Sequence, residues 1–468
     1  MKKDCAIILA AGDGIRMKSA KPKVLAEVLF KPMLDWVLDR TLESGIDEIC
    51  VVTGHMSQSI EERLDKKIKT VMQKERLGTG HAVLQAKDFI SDHGGASVLV
   101  LAGDAPLVDA QTISAALHFH KQAQNSATII AARVDNPHGY GRIVRDDRGR
   151  VMKIVEERDA TDEQKEINEV NSGAYWFNAQ ALLVALEQLK KTQSTLAKQK
   201  GKEIYLTDTI EILRGINMDV TAFGARTPDI VLGANDRVQL AQLNQIARDS
   251  ELNRHRQNGV SIPISDGIII GPDVEIGEDS LILPGTIIRG HSKIGKNCVI
   301  GPNSYIEDSQ IGDNVELNNT QCRDSKVGAD SKIGPFVQLR PGSVIDARAR
   351  VGNFVEIKNS NIGTDAKISH LTYVGDSDLG DDVNLGCGTV TVNFDGKTKN
   401  RTTIEDGAFV GCNSNLIAPV TIGKNAFVAA GSTITKDVPA DALAIARSRQ
   451  EIKKGWVTSK KPYKRQYE

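Results

Sequence analysis

Ile282-Leu283-Pro284-Gly285-Thr286-Ile287-Ile288-Arg289-Gly290-His291-Ser292-Lys293-Ile294-Gly295-Lys296-Asn297-Cys298-Val299-Ile300-Gly301 decides the fold of the second half of this 468-residue chain. Ile282, Ile288, Ile294 and Ile300 recur at every sixth position, and glycine often follows. The step runs back through Ile276 and Ile270 to Ile264 and forward to Ile306. Five-residue steps restart it at Ile311, Ile362 and Leu379, and a longer break restarts it at Ile404. The last run is Ile404, Val410, Leu416, Ile422, Val428 and Ile434. A period of six matches neither the 3.6 of a helix nor the 2 of a half-buried strand. It is the mark of a parallel β-helix, in which three hexads close one triangular coil. Coils stack at the strand spacing of ~4.8 Å, so about nine coils are expected between Ile264 and Ile434.

Residues 1–230 read differently. Apolar runs at Ala6–Ala10, Ile49–Thr53, Val98–Leu101 and Thr128–Ala132 alternate with helical patterns such as Leu34–Ser44. That alternation predicts an α/β sheet with crossover helices, whose ligands bind beyond the carboxyl ends of the strands. Asp236–Asn258 is polar, with Leu240, Leu243 and Ile246 as its aliphatic cluster, and reads as a connecting helix. After Ile434 the chain turns basic, with Arg447, Arg449, Lys453, Lys454, Lys460, Lys461, Lys464 and Arg465. Charge is balanced, 59 basic against 60 acidic residues, which points away from nucleic acid or a membrane surface as partner. No apolar run approaches a membrane span, and the six cysteines lack zinc spacing or an export context. A cytoplasmic protein with reduced thiols is expected.

The strand Cys5–Ala10 leads into Ala11-Gly12-Asp13-Gly14-Ile15-Arg16-Met17, with Pro22-Lys23-Val24-Leu25 shortly after. Glycines after a strand let backbone N–H groups approach a phosphate, and Arg16 and Lys23 supply charge. The turn is neither a Walker A loop nor a dinucleotide fingerprint, and alone it is equally compatible with an ordinary glycine turn. With Gln73…Leu77-Gly78-Thr79-Gly80-His81, Gly103-Asp104-Ala105-Pro106, Gly139-Tyr140-Gly141-Arg142, Ile154-Val155-Glu156-Glu157, Glu169-Val170-Asn171-Ser172-Gly173 and Gly233-Ala234-Asn235, it resembles the sugar-nucleotide pyrophosphorylases. Joined to the hexapeptide repeat, the whole chain resembles the bifunctional bacterial N-acetylglucosamine-1-phosphate uridyltransferases/glucosamine-1-phosphate acetyltransferases. The resemblance implies a UTP and UDP-sugar site formed by Leu9, Ala10, Ala11, Gly12, Lys23, Gln73, Gly78, Thr79, Gly103, Asp104, Gly141, Glu156, Asn171 and Asn235. Arg16 and Lys23 would clamp phosphates, and Asp104 with Asn235 would hold Mg²⁺, which keeps several waters. Gln73 would turn both donor and acceptor to the uracil edge. Ile15 stands where these enzymes usually have threonine.

The solenoid breaks its own rule in one region. Outward positions of Ile368-Ser369-His370-Leu371-Thr372-Tyr373 carry His and Tyr, which a structural rung does not require. Between Thr391 and Ile404 the spacing is thirteen, so a loop around Asp395–Arg401 bulges out with Lys397, Lys399 and Arg401, a ready phosphate site. Leu339-Arg340-Pro341-Gly342, Val351–Lys358 and His370–Tyr373 resemble the acetyltransferase half of the same family. That implies His370 as general base on the 2-amino group of glucosamine 1-phosphate, a task histidine suits near neutral pH. Arg340, Lys358, Tyr373 and Asn384 would hold the sugar phosphate. Cys387, Asn393, Phe394, Cys412, Ala430 and Arg447 would meet acetyl-CoA, although Cys387, Phe394 and Cys412 depart from the family's usual alanine, tyrosine and serine. Cys387 is two residues after Leu385 and Cys412 two after Val410, and if the extra loop counts as part of one rung they are on one face of adjacent coils, within reach of a disulfide.

The expected organisation is an α/β, Rossmann-like nucleotidyltransferase domain over 1–230, a connecting helix over 231–258, and an all-β left-handed parallel β-helix over 259–468 with a basic tail. The expected activity is acetyl transfer to glucosamine 1-phosphate followed by Mg²⁺-dependent uridylyl transfer, in a homotrimer built through the β-helix. The alternative is a uridyltransferase whose β-helix is only an oligomerisation stem.

Overall fold

The computed structural model describes residues 2–12, 14–54, 57–196 and 203–460, so Asp13 and the basic residues Lys461, Lys464 and Arg465 lie outside it. The chain divides into two compact units between Ser250 and Glu251, inside the helix Arg237–Gln257.

The first unit is built on Cys5–Ala10, whose residues are almost all buried. It pairs in parallel with Ser97–Ala102 on one side and Glu48–Thr53 on the other. The main order is Val220–Gly224, Ala127–Arg133, Glu169–Asn178, Ser97–Ala102, Cys5–Ala10, Glu48–Thr53, Lys69–Met72, with Glu169–Asn178 antiparallel to both neighbours, and Arg142–Arg145 with Val151–Val155 branch from it to complete nine strands. Alternate side chains of the first strand enter different cores, as the twofold period of a strand requires. Cys5 and Ile7 pack with Phe89, Leu182 and Leu213, while Ala6 and Ile8 pack with Leu34, Val37 and Ile113. Burial on both faces explains why these strands read as unbroken apolar runs. Leu9 is in register with Ala102, so the chain leaves both strands at the same edge. The Ala11-Gly12 turn and the Gly103-Asp104 turn are thereby brought side by side.

The second unit is three parallel sheets of ten, nine and ten strands, in which successive partners are three strands apart in sequence until the last strand, Leu443–Ala444, which is two after its partner. Ile282, Ile288, Ile300, Ile306, Leu317, Ile333, Ile357, Ile368, Val410 and Val428 fill one continuous core. Fully burying an aliphatic side chain contributes about 1.5–3 kcal/mol, so the six-residue repeat is itself the stabilising element. The glycine after the aliphatic residue is needed for stacking: a Cβ on Gly277 would lie 2.7 Å from the carbonyl carbon of Gly295 on the next coil. Two details differ from the sequence expectation. Ile264 is 55% exposed and precedes the first paired strand, Ile269–Ile270. At the other end the coil continues past Ile434, because Leu443–Ala444 pairs with Phe427–Val428 and Val438 with Ile422.

Candidate functional sites

At the edge of the first unit, Gly103 N donates to Leu9 O at 2.9 Å, and a Cβ on Gly103 would stand at that same distance from Leu9 O. This contact fixes Asp104 opposite the glycine turn. Lys23 Nζ forms an ion pair with Asp104 Oδ2 and donates to Asn235 Oδ1 at 2.7 Å. Asn235 is itself held by its N–H, which donates to Gln239 Oε1 at 2.7 Å. Leu9, Ala10, Ala11 and Gly12 lead past this trio, and Gly12 has open space where a Cβ would point. Arg16 is exposed on the short turn Ile15–Met17, and no ion pair engages it among the described residues. No group of three or more His, Cys, Asp or Glu side chains among the described residues forms a metal cage. One carboxylate and one amide oxygen around a cation-sized gap nonetheless fit a hard ion that completes its shell with water and phosphate oxygens. The ammonium resting between them shows that the gap accepts positive charge.

Gln73 and Gly78 come together as expected, in a different arrangement. Gln73 Nε2 donates to Gly78 O at 3.1 Å and contacts His81 Nδ1 at 3.1 Å. Its donor side is therefore engaged within the protein, and its carbonyl oxygen is what it can offer a ligand. Burial holds the His81 imidazole below its ordinary pKa, so the neutral ring can accept a hydrogen bond. Gly78 has φ +109°, and Thr79 opens a helix while its Oγ1 accepts from Leu206 N at 2.9 Å. Opposite, Gly141 leaves room for Glu156, whose Oε1 accepts from Thr207 Oγ1 at 3.0 Å. Burial raises the Glu156 carboxyl above the usual range. Asn171 sits where Glu169–Asn178 slips register against Ala127–Arg133, between Asn171 and Ala174. Such a bulge re-aims a side chain. Here Asn171 Nδ2 donates to Tyr175 Oη at 2.6 Å, and Asn171 N donates to Gly141 O at 2.9 Å. Thr207 was not legible as a site residue, since nothing local in its sequence marks it.

In the second unit two columns of outward side chains carry the chemistry. Ile368 pairs with Leu385, Leu385 with Val410 and Val410 with Val428. Two residues further along each strand, His370, Cys387, Cys412 and Ala430 form one column along the edge of the sheet. His370 is exposed beside a depression lined by Arg350, Asn353 and Ser369, and its ring hydrogen-bonds to no described residue. Cys387 and Cys412 are on adjacent coils, where Asn413 N donates to Cys387 O at 2.7 Å, and both thiols are free. The Arg447 side chain lies against Gly431, beyond Ala430.

The other column is on the next sheet. Arg340 Nη1 donates to Glu356 Oε1 at 2.8 Å, and Lys358 pairs with Asp376 Oδ2 at 3.6 Å. Glu356 is in register with Tyr373 and Lys358 with Gly375, so Tyr373 leans over Gly375 into the same patch. Asp376 accepts from Asn359 Nδ2 at 2.6 Å and from Asn393 Nδ2, and although burial pushes it up, these amides hold its carboxyl below the usual range. Lys399 reaches Lys358 from the bulged loop, and the adjoining Lys358 holds the Lys399 pKa below its ordinary value. Two ammonium groups leaning together leave a site that an anion relieves. The loop does not contribute all three of its cations. Arg401 is tied to Asp378 Oδ1 at 2.5 Å and to Asn359 O at 3.2 Å, while Lys397 stays exposed. Asp395 folds the loop by accepting from the N–H groups of Lys397 and Thr398 at 2.8 and 2.7 Å, which leaves Phe394 55% exposed. Asn384 departs from expectation: it is on the His370 sheet, in register with Lys367 and Phe409, apart from Arg340, Lys358 and Tyr373.

A strand-end carboxylate facing a glycine turn, followed by a coil bearing a basic patch and an outward imidazole, defines a nucleotidyltransferase fused to a hexapeptide-repeat transferase. The nucleotidyl transferase family profile matches residues 5–209, and the bacterial transferase hexapeptide profile matches 273–308, 291–319, 324–359 and 401–436. The β-helix is of the left-handed hexapeptide class. Curated proteins match nearly end to end. The chain is 50% identical over 455 residues to the bifunctional protein GlmU of Acetivibrio thermocellus, covering 97% of both chains. It is 47% identical to that of a Geobacillus species, covering 98% of both, and 45% identical to that of Clostridioides difficile, covering 97% of both. The chain belongs to the GlmU family of bifunctional proteins.

Proposed function

We propose that the chain makes UDP-N-acetylglucosamine in two steps, acetylating glucosamine 1-phosphate on the β-helix and uridylylating the product in the α/β unit. The observation that carries the reading is that one chain holds both constellations: Lys23, Asp104 and Asn235 beside the glycine turn, and His370 on the sheet next to the one that carries the Arg340–Lys358–Tyr373 patch. In the first step the 2-amino nitrogen attacks the acetyl-CoA thioester carbonyl, His370 takes its proton, and the coenzyme leaves as the thiolate. Arg340, Lys358 and Lys399 balance the sugar phosphate, Tyr373 and Asn384 orient the ring, and the column from Cys387 through Cys412 and Ala430 to Arg447, with Asn393 and Phe394, lies along the coenzyme. In the second step a phosphate oxygen of the acetylated sugar attacks the α-phosphorus of UTP and pyrophosphate departs. No protein nucleophile is needed, only in-line positioning and charge neutralisation by Arg16 and Lys23. Mg²⁺ on Asp104 and Asn235 would neutralise the charge developing on the phosphates. Glu156, Asn171 and Gly141 hold the sugar.

A homotrimer through the β-helix fits two observations. Asn384 and His370 are on one sheet while the cationic patch is on the next, so a site shared between neighbouring copies would complete the set. At the corner beside His370, Phe336, Phe354 and Leu371 are 55%, 57% and 59% exposed on successive coils, an apolar ridge that a second copy would cover. Free thiols at all six cysteines suit a reducing cytoplasm, and no described helix is long and apolar enough to cross a membrane. The stem-only alternative is disfavoured, because a stem has no need of Lys358 and Lys399 held together around Asp376.

The test is a coupled assay with acetyl-CoA, glucosamine 1-phosphate, UTP and Mg²⁺, run also on His370→Ala. The variant should stop acetylating yet still convert supplied N-acetylglucosamine 1-phosphate. Unchanged acetylation by the variant would refute the role of His370.

A further inference from the structure

Lys23 has two jobs within reach of one ammonium group. Its stem passes beneath the glycine turn: a Cβ on Gly14 would lie 2.6 Å from Lys23 Cβ, so only glycine at 14 lets the two segments approach. From there Nζ reaches Asp104 and Asn235, with the Lys23 side chain 13% and the Asp104 side chain 24% exposed. An ion pair this sheltered is screened less than a surface pair. The gap offers one formal negative charge, and Lys23 already neutralises it. Asp104 is the carboxylate that Lys23 contacts here, and no group of three or more His, Cys, Asp or Glu side chains forms among the described residues.

We propose that Lys23 is a resident cation that closes the metal position in the nucleotide-free protein and exchanges with the divalent ion when nucleotide phosphates enter. The phosphates supply both the missing negative charge and a new acceptor for the displaced ammonium, at the glycine turn against which the lysine stem already lies. Metal and nucleotide then bind as one event, and the bare protein resists loading with metal. This inference rests on the reading of Asp104 and Asn235 as the metal pair.

The test measures binding of Mn²⁺ to the full-length protein without nucleotide, following the free aquo ion by electron paramagnetic resonance. A site closed by its own lysine most of the time has its apparent affinity reduced by the open fraction. Lys23→Met should therefore bind Mn²⁺ at least about tenfold more tightly than the parent protein. Lys23→Gln repeats the test should the first variant fold poorly. Arg16→Met removes the cation of the turn Ile15–Met17 without opening the gap and should show no gain, and adding Asp104→Asn to Lys23→Met should abolish the gain. Equal affinities in parent and both Lys23 variants, or an equal gain in Arg16→Met, would overturn the exchange. The underlying assignment is checked separately with UTP present. Mn²⁺ binding that survives Asp104→Asn there would sink the metal pair itself, whereas loss of that binding without a gain in the Lys23 variants refutes the exchange alone.

Discussion

The phenol of Tyr373 lies directly over Gly375, close enough that a Cβ on the glycine would stand 2.6 Å from Cζ of the ring. The ring can lie along its strand because the next outward position is bare, and that brings the hydroxyl to the Lys358–Asp376 patch. Gly375→Ala should push the ring out while leaving the coil intact, since the displaced atoms are the far ends of two side chains, the Tyr373 phenol and Asn393 Nδ2 at 2.8 Å. We expect KM for glucosamine 1-phosphate to rise about tenfold, equivalent to about 1.4 kcal/mol of lost binding. Thermal stability should hold to within a few degrees, and uridylyl transfer should not change. Steady-state kinetics of both half-reactions on the variant check this.

His370 is exposed, with no hydrogen bond to its ring among the described residues. A general base contributes 10²–10⁴-fold, so His370→Ala should lower kcat for acetylation by roughly that factor with little change in KM. His370→Asn, which keeps a polar group but cannot take the proton, should be as impaired. If His370→Asn retained most of the rate, the side chain would be positioning the substrate, not accepting its proton.

Gly78 occupies a conformation open to glycine alone, with φ +109° and the Ile204 backbone N only 2.7 Å from where a Cβ would stand. Backbone meets backbone here, so nothing can swing aside. Gly78→Ala combines strain of order 1–3 kcal/mol with a clash that displaces the carbonyl to which Gln73 Nε2 donates. KM for UTP should rise at least about tenfold, the Michaelis constants of the acetyltransferase should stay fixed, and melting of the first unit should shift down. Calorimetry with nucleotide titration gives the result, and unchanged UTP binding would count against a role for this turn.

These cases show why some of the molecule was readable and some not. The β-helix was legible because its period of six repeats the same packing demand on every coil. Reading failed at its ends, where that demand lapses. Ile264 has the right spacing with no coil beneath it, and Leu443–Ala444 extends the stack without any aliphatic–glycine hexad. Asp104 could be placed because a strand end and a glycine turn are local features, and Leu9 in register with Ala102 joins them. Thr207 under Glu156 and Ile204 against Gly78 join segments far apart in sequence, so no local signal marks them. Gln73 and Arg401 were recognised as polar residues in the right places, but their partners were invisible. His81 and Gly78 engage the donor of the first, and Asp378 engages the second.

Each unit also buries a histidine whose pKa falls to about 4 and that no proposed chemistry uses. His120, 3% exposed, contacts Thr128 Oγ1 at 3.0 Å through Nδ1, and burial pushes its pKa down to about 4, with Asp4 opposing and Lys121 assisting. His255, 1% exposed beside Arg254, is likewise lowered to about 4 by burial. An unfolded histidine titrates near 6.5. Between about pH 6.5 and 4 the unfolded chain therefore binds protons that the folded one refuses. Stability must fall as pH drops through this window, by up to roughly 3 kcal/mol per histidine at its lower end. Denaturant unfolding of the parent protein at pH 7.5 and 4.5 should show both units weakened by acid. His120→Gln should flatten the pH dependence of the first unit and His255→Gln that of the second, each leaving the other slope alone. Parallel slopes in variant and parent would mean that other groups set the acid sensitivity.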